Sequence, residues 1–307
     1  MTVAEPVGWA ALALMWIVCV TEWVGFDAFR PIAILQSFTP WLLGAATPLC
    51  LLAIATGRWA LAVGCVPVLA TFVRLATPIR VAEEPFDGAT PEFTVAFGNL
   101  LSKNRDPDGA VQAMADTTAD VLVLVEFTPW MREALHTLCA DRYPYRCEVP
   151  LPNPAGIGVW SRLPFERAEV LATVDRPTID VDISAPSGRV RLLAVHTITP
   201  TLDSPGWAAE ILALGAVADR AEATVLIGDF NAARWHPTFR RLLAQGWRSA
   251  HEVVGRGWSR SWPVAHYPFP LFIRVDHALV RGVTPVDVVD IDLPGSDHRG
   301  FVAGFRL

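Results

Sequence analysis

Val225-Leu-Ile-Gly228-Asp229-Phe230-Asn231-Ala232 is the stretch whose reading decides the fold. Val225, Leu226 and Ile227 are aliphatic, as a strand covered on both faces requires. Gly228 leaves the backbone room where that strand stops. Asp229 and Asn231 are two apart, so their side chains leave an extended chain on the same side. A covered strand that ends on an acid and an amide suits the floor of an active site. It needs other strands to flank it and other polar groups to converge on it.

Working outward, the same pattern recurs. Leu192–Val195 is an apolar run ending at His196, and Asp120–Val125 ends at Glu126. Phe93–Phe97 is followed by Gly98-Asn99-Leu100. Downstream, Val275–Val280 carries Asp276-His277, and Ser296-Asp297-His298 precedes Phe301–Phe305. Shorter β segments are expected at Arg146–Val149, Gly156–Trp160, Glu166–Val174, Thr178–Ser184 and Pro285–Ile291, with Ser187-Gly188 as a hairpin turn. Asp108 is expected to cap a helix running to about Thr117. Thr128 caps the next, with Pro129 at its first position. Further helices are expected over Ser204–Arg220 and Pro237–Ala244. Helices alternating with many antiparallel strands imply two packed sheets with helices outside.

The front of the chain is different. Mean hydropathy is +0.35 and 52% of residues are hydrophobic, high for a soluble protein. The excess lies in residues 1–80, where four arginines face three carboxylates, a balance of +1. The rest, with 21 basic and 28 acidic residues, carries −7. Val7–Val24, Trp41–Thr56 and Trp59–Thr77 are apolar runs near the length that spans a bilayer. Trp9, Trp23, Trp41 and Trp59 lie near their ends, as interfacial residues do. A cleaved signal peptide would need a basic start, which is missing. The expectation is therefore a membrane domain of three transmembrane helices over 1–80, a Pro/acid linker over 81–91, and a globular domain over 92–307. Arg30, Arg58 and Arg80 are too evenly spread for the positive-inside rule to orient it.

The strand-end groups point to a reaction. Hard oxygen donors such as Glu126 and Asp297, with few closely spaced Cys or His, favour Mg²⁺, Mn²⁺ or Ca²⁺ over zinc. An Asp near a His orients and charges an imidazole. A metal, an acid that positions water, and a His⁺ with an Asn are the parts for hydrolysing a phosphate ester.

The ordered set Gly98-Asn99-Leu100, Val125-Glu126, Val195-His196-Thr197, Gly228-Asp229-Phe230-Asn231-Ala232, Arg274-Val275-Asp276-His277 and Ser296-Asp297-His298 resembles the endonuclease/exonuclease/phosphatase superfamily. Gly158-Val-Trp-Ser161-Arg-Leu-Pro164 and Ser261-Trp262-Pro263 are weaker echoes. The resemblance runs from about Pro91 to Leu307 and implies a four-layer α/β sandwich (DNase I-like), here preceded by the three transmembrane helices. It implies that Glu126 is the main metal ligand, with Asn99 near the metal or its waters and Asp297 in the metal site. It implies that Asp229 orients or deprotonates water and that Asn231 holds a phosphoryl oxygen. His298 would face the scissile phosphate with Asp276 fixing its ring, and His196 would contact the phosphate or leaving group. The acid that pairs with such a His in DNase-like relatives has no clear match; Asp175-Arg176-Pro177 offers Asp175 in a shifted register.

Other residues have plainer readings. His277 leaves its strand opposite to Asp276 and is expected to be structural. His136, His236, His251 and His266 are taken as surface or packing residues, Trp207, Trp247 and Trp258 as core, and Arg240-Arg241 as a solvated helix face. Cys19, Cys50 and Cys65 lie in the apolar runs. Cys139 and Cys147 are either a disulfide, which would favour an extracytoplasmic catalytic domain, or two thiols. A domain at −7 lacks the basic footprint of tight duplex binding, although a metal supplies local positive charge. The expected function is a membrane-anchored phosphodiesterase, with a nuclease as first choice. A sphingomyelinase-like phospholipase or a phosphomonoesterase is the alternative, and a non-catalytic tethered binding domain is the competing class.

Overall fold

The apolar runs and their breaks produce two six-stranded sheets lying face to face. The computed structural model describes residues 4–77, 90–172, 176–217, 223–264 and 273–307. The chain begins with five helices: α1 (Ala4–Val24), α2 (Arg30–Ser37), α3 (Thr39–Gly44), α4 (Ala46–Ala55) and α5 (Trp59–Ala76). Helices α1 and α5 are each long and apolar enough to cross a membrane. They run parallel, since Trp16 Nε1 donates to Gly64 O at 3.1 Å and Trp23 Nε1 to Thr71 Oγ1 at 3.1 Å. Gly57, at φ +70°, turns α4 back into α5. The middle expected span is less simple. Thr39–Ala55 is bent by 65° from α2, so the described helices offer two unbroken candidates and one bent pair.

The globular part follows as β1 (Phe93–Asn99), α6 (Pro107–Asp116), β2 (Val121–Val125), α7 (Pro129–Cys139), β3 (Tyr145–Val149), β4 (Ile157–Ser161), β5 (Phe165–Ala172), β6 (Pro177–Ala185) and β7 (Gly188–His196). Then come α8 (Ser204–Val217), β8 (Thr224–Asp229), α9 (Pro237–Leu243), β9 (Arg248–Ser249), α10 (Ala250–Val253), β10 (Asp276–Arg281), β11 (Thr284–Asp292) and β12 (Arg299–Arg306). The first sheet has the order β11-β12-β1-β2-β4-β3, the second β5-β6-β7-β8-β10-β9. Strand alternation assigns the layers. Val121, Val123 and Val125 face the other sheet, whereas Leu122 and Leu124 pack under α6 and α7. In the second sheet Val225 and Ile227 face inward, and Leu226 packs with Trp207 of α8 and Phe239 of α9. Helix, sheet, sheet and helix make the expected four layers.

Among the described residues, only the central pairs β1–β2 and β7–β8 are parallel. Each is joined by a crossover helix, so both strands of a pair end at the same edge. In the second sheet the register places Asp229 opposite His196 on one side and Asp276 on the other. The close approach that Gly228 allows is literal: a Cβ there would lie 1.9 Å from Val195 O.

Two expectations need correcting. Asp106, not Asp108, caps α6, its Oδ1 accepting from Gly109 N at 3.1 Å. Pro107 occupies the first turn, so the cap is the residue before it. Arg240 and Arg241 are not a solvated face but a clasp onto the N-terminal helices. Arg240 Nη2 lies 2.6 Å from buried Glu22 Oε2, an ion pair. Arg241 Nη2 donates to Gly25 O. Beside them Thr238 N and Oγ1 donate to buried Asp27 at 2.7 and 2.5 Å. His236 Nε2 meets Ala33 O of α2 at 2.9 Å. His236 is thus the packing residue expected, with α2 as its partner. His277 is structural as expected, its Nε2 2.9 Å from Ala232 O. Trp207 and Trp247 are core, but Trp258 is 38% exposed. All five cysteines are free thiols, which removes the disulfide argument for orientation. His266, Asp175 and most of the expected linker lie outside the described residues.

Candidate active site

The strand ends build the site. Asn99 closes β1 and is fully buried. Glu126 follows β2 at φ +54°, a left-handed turn disfavoured for a residue with a Cβ. Ser102 holds it there: both its N and its Oγ donate to Glu126 Oε2 at 2.8 Å. Asn99 Nδ2 lies 3.4 Å from the other carboxylate oxygen and donates to Asp229 Oδ2 at 3.0 Å. After β8, Asn231 also turns left-handed, at φ +47°. Its N donates to Asp229 Oδ1 at 2.8 Å, and its Nδ2 donates to Thr197 O at 3.0 Å. The two side chains expected on one side of an extended chain are therefore placed by a tight turn instead.

On the far wall Asp276 Oδ2 sits 2.9 Å from His298 Nδ1. Ser261 Oγ fixes that acid's backbone, accepting from Val275 N at 2.9 Å and Asp276 N at 3.2 Å. His298 Nε2 points toward Asp229 Oδ2 at 3.8 Å. Trp262 Nε1 donates to Asp297 Oδ2 at 3.0 Å, while Asp297 Oδ1 is buried with no hydrogen-bond partner. One cavity of about 400 Å³ is lined by Glu126, His196, Asp229, Asn231, Asp297 and His298. Asn99 and Asp276 stand behind that lining, bonded to members of it. All eight residues singled out from the sequence thus meet at one place.

Charge is arranged unevenly across it. Burial pushes the Asp229 carboxyl up, with Asp276 adding repulsion, to about 7 against the pull of His298, Asn231 and Asn99. Burial opposes the charged form of His298, but Asp276, with Asp229 and Asp297, outweighs it and raises the ring to about 10. His196 goes the other way, held well below its ordinary value by burial, by Arg176 and by His298. The site therefore pairs a cationic imidazole with a neutral one, 3.6 Å from Asp229 Oδ2 in the second case. Arg176 Nη1 lies 2.8 and 2.6 Å from the two ring nitrogens of His196. Among the described residues His196 thus lies between the Arg176 cation and the Asp229 carboxylate, and Asp175, the acid the family pattern pointed to, lies outside them.

Four contributors escaped the sequence reading. Ser102 carries no motif; its only signal is a hydroxyl three residues past a strand-end amide. Ser261 and Trp262 belonged to a weak echo without an assigned part. Arg176 was read only as a neighbour of Asp175.

The donors fit a hard divalent cation. Glu126 keeps one carboxylate oxygen on the Asn99 side after Ser102 has taken the other, and Asp297 Oδ1 is without a hydrogen-bond partner, with His298 Nε2 4.0 Å away. Asp229, Asp276 and His298 also bring ligand atoms within 4.8 Å of one another. There, however, the Asp276–His298 hydrogen bond already occupies Nδ1, so that trio is better suited to proton handling than to a cage.

Residues 96–298, more than half of the chain, match the model of the Endonuclease/Exonuclease/phosphatase family. The chain belongs to this family. Its members are metal-dependent hydrolases of phosphoric esters, and so is this chain. Among solved structures, it is similar to zebrafish (D. rerio) TDP2 complexed with a single-strand DNA product, at 17% identity and TM-score 0.61, covering 70% of this chain and 99% of that one. Sphingomyelinase C from Streptomyces griseocarneus is similar at 20% identity and TM-score 0.52, with 70% and 99% covered. An endonuclease/exonuclease/phosphatase from Beutenbergia cavernae gives 18% and 0.55, with 70% and 71% covered. At these identities the likeness shows the fold alone. No curated protein matches the sequence.

Proposed function

We propose that this family member is a membrane-anchored, divalent-metal-dependent phosphodiesterase. The observation that carries the reading is the set of strand-end groups around one cavity: Glu126 across from Asp229 and Asn231, with the Asp276–His298 pair at their side. Glu126, Asn99 and Asp297 would hold Mg²⁺ or Mn²⁺, which when bound neutralises phosphoryl oxygens. Asp229 orients the attacking water and takes up its proton, a task suited to a carboxyl raised to about 7. Asn231 binds a phosphoryl oxygen. His298, charged and oriented by Asp276, stabilises the negative charge that grows on the phosphoryl group. His196, neutral beside Arg176, contacts the phosphate or the leaving oxygen. Water adds to phosphorus, the ester P–O bond breaks, and the alcohol leaves with one proton.

The anchor is α1 and α5 with the bent α2–α4 segment between them, a multi-pass arrangement in the cell membrane. TDP2's single-strand DNA product makes a nucleic acid one candidate substrate. The sphingomyelinase likeness and the anchor together make a phospholipid the other. Mg²⁺-dependent turnover of bis-p-nitrophenyl phosphate by the full chain, lost in Asp229→Ala, tests the reaction. Equal turnover by the two proteins would remove Asp229 from the reaction, and no turnover by either would leave only a tethered binding domain.

A further inference from the structure

The cavity has a wall that does not come from the catalytic fold. Ile34, Ser37 and Phe38, in α2 and at its end, line it opposite Asp229 and His298. Leu101, Leu202 and Trp262 add apolar surface from the catalytic loops. Ile34 is 38% exposed and Leu202 74% exposed, which is costly beside water unless something apolar covers them. The wall cannot swing aside freely. Ala33 is buried in the core formed with α8 and α9, and the Asp27–Thr238, Glu22–Arg240 and His236–Ala33 contacts fix both ends of the loop before α2. Just past Phe38, Pro40 and Trp41 line a second, apolar cavity of about 720 Å³ with Phe72 and Trp258. Helix α2 connects the C-terminal end of α1 to the helix that returns alongside α5. It therefore lies at the level where the apolar helices end and the catalytic domain begins.

Resting on the phosphodiesterase reading, we propose that Ile34 and Phe38 form a specificity subsite for the aliphatic part of an amphiphilic phosphate ester. The phosphate is held by the polar strand ends, and the alkyl chain runs along α2 toward the apolar helices. Ile34 and Leu202 are aliphatic and offer a nucleic acid neither a stacking face nor a cation. The substrate is a lipid of the surrounding membrane, presented by its headgroup phosphate.

The test is a series of alkyl p-nitrophenyl phosphates from methyl to octyl, hydrolysed by the full chain in lipid nanodiscs with Mg²⁺. In each, water adds to phosphorus and the P–O bond to nitrophenolate breaks, leaving the alkyl phosphate. Each methylene buried on the wall is worth up to about fourfold in kcat/KM, so octyl should exceed methyl by at least about tenfold. Ile34→Gln and Phe38→Ala are each expected to cut the octyl-to-methyl ratio by about threefold or more. Partition into the disc is the same for each variant, so the ratio reads the wall. Ile34 is partly exposed and its substitution leaves the core intact, which covers the case of Phe38→Ala failing to fold. Equal rates for methyl and octyl, ratios unchanged in both variants, or faster cleavage of single-stranded DNA than of the octyl ester would overturn the subsite and leave the phosphodiesterase reading standing. No turnover of any ester would overturn that reading and the subsite with it.

Discussion

Removing the Ser102 hydroxyl tests the assignment of Glu126 most directly. Glu126 sits in a left-handed turn, and its Oε2 is restrained by two donors at 2.8 Å, both from Ser102. Ser102→Ala deletes one and keeps the backbone donor. A hydrogen bond to a charged group is worth about 1.5–3 kcal/mol. If that energy is spent on presenting the other oxygen to a cation, its loss appears as weaker metal binding, about ten- to a hundredfold. The assay is turnover of bis-p-nitrophenyl phosphate by the full chain against Mg²⁺ concentration. The half-saturating concentration should rise by at least about tenfold, while kcat at saturation stays within a few-fold of the parent. An unchanged half-saturation would refute the reasoning. So would a fall in kcat that saturating Mg²⁺ does not repair, because Ser102 would then act on something other than the metal site.

Three further outcomes follow from the same geometry. Asp276→Asn removes the anion that orients and charges His298, and should lower kcat by about 10²–10⁴ with little change in melting temperature; a loss below tenfold would exclude a proton or charge role for the pair. Arg240→Ala leaves Glu22 buried without its cation and should destabilise the full chain by about 3 kcal/mol in detergent unfolding, with Glu22→Gln restoring most of it; parental stability in the single variant would mean that the clasp carries no load. His251 is 1% exposed and is held at about 4, by burial first and then by Arg274. Its folded value lies below the unfolded one, so between pH 6.5 and 4 the unfolded chain binds more protons and stability falls as pH falls, by up to about 3 kcal/mol. Replacing His251 by Phe should flatten urea-unfolding free energy over that window, and an unaltered slope would show that other groups set it.

What could be read from the sequence was what strand geometry exposes. Glu126, His196 and Asp229 each follow or close an apolar run, and a run that stops on a polar residue marks both the element and its functional edge. The Asp276–His298 pairing came from the family resemblance, since 22 positions separate the two residues and no local pattern joins them. Ser102 could not be found this way, because its importance comes from a backbone turn at Leu101 (φ +58°) that no composition signals. Arg240-Arg241 looked solvated because its partners, Glu22 and Gly25, are some two hundred residues away in an apolar region that reads as self-contained. Helix α2 was passed over since eight residues of mixed polarity between two long apolar runs look like a loop. Local periodicity reports which face of an element is covered, not which distant segment covers it.

The clasp between Glu22, Asp27 and α9 has one more effect. It ties the height of the cavity to the ends of α1 and α5, so under the proposed anchoring the catalytic residues would ride on the bilayer like a gauge set to one depth. Helices of fixed length tilt when the hydrocarbon layer thins and straighten when it thickens. A cavity attached in this way would follow, shifting its height relative to the headgroup plane. With the anchoring proposed above, acyl-chain length in the surrounding lipid would become a setting of the catalytic rate, separate from the identity of the phosphate being cleaved.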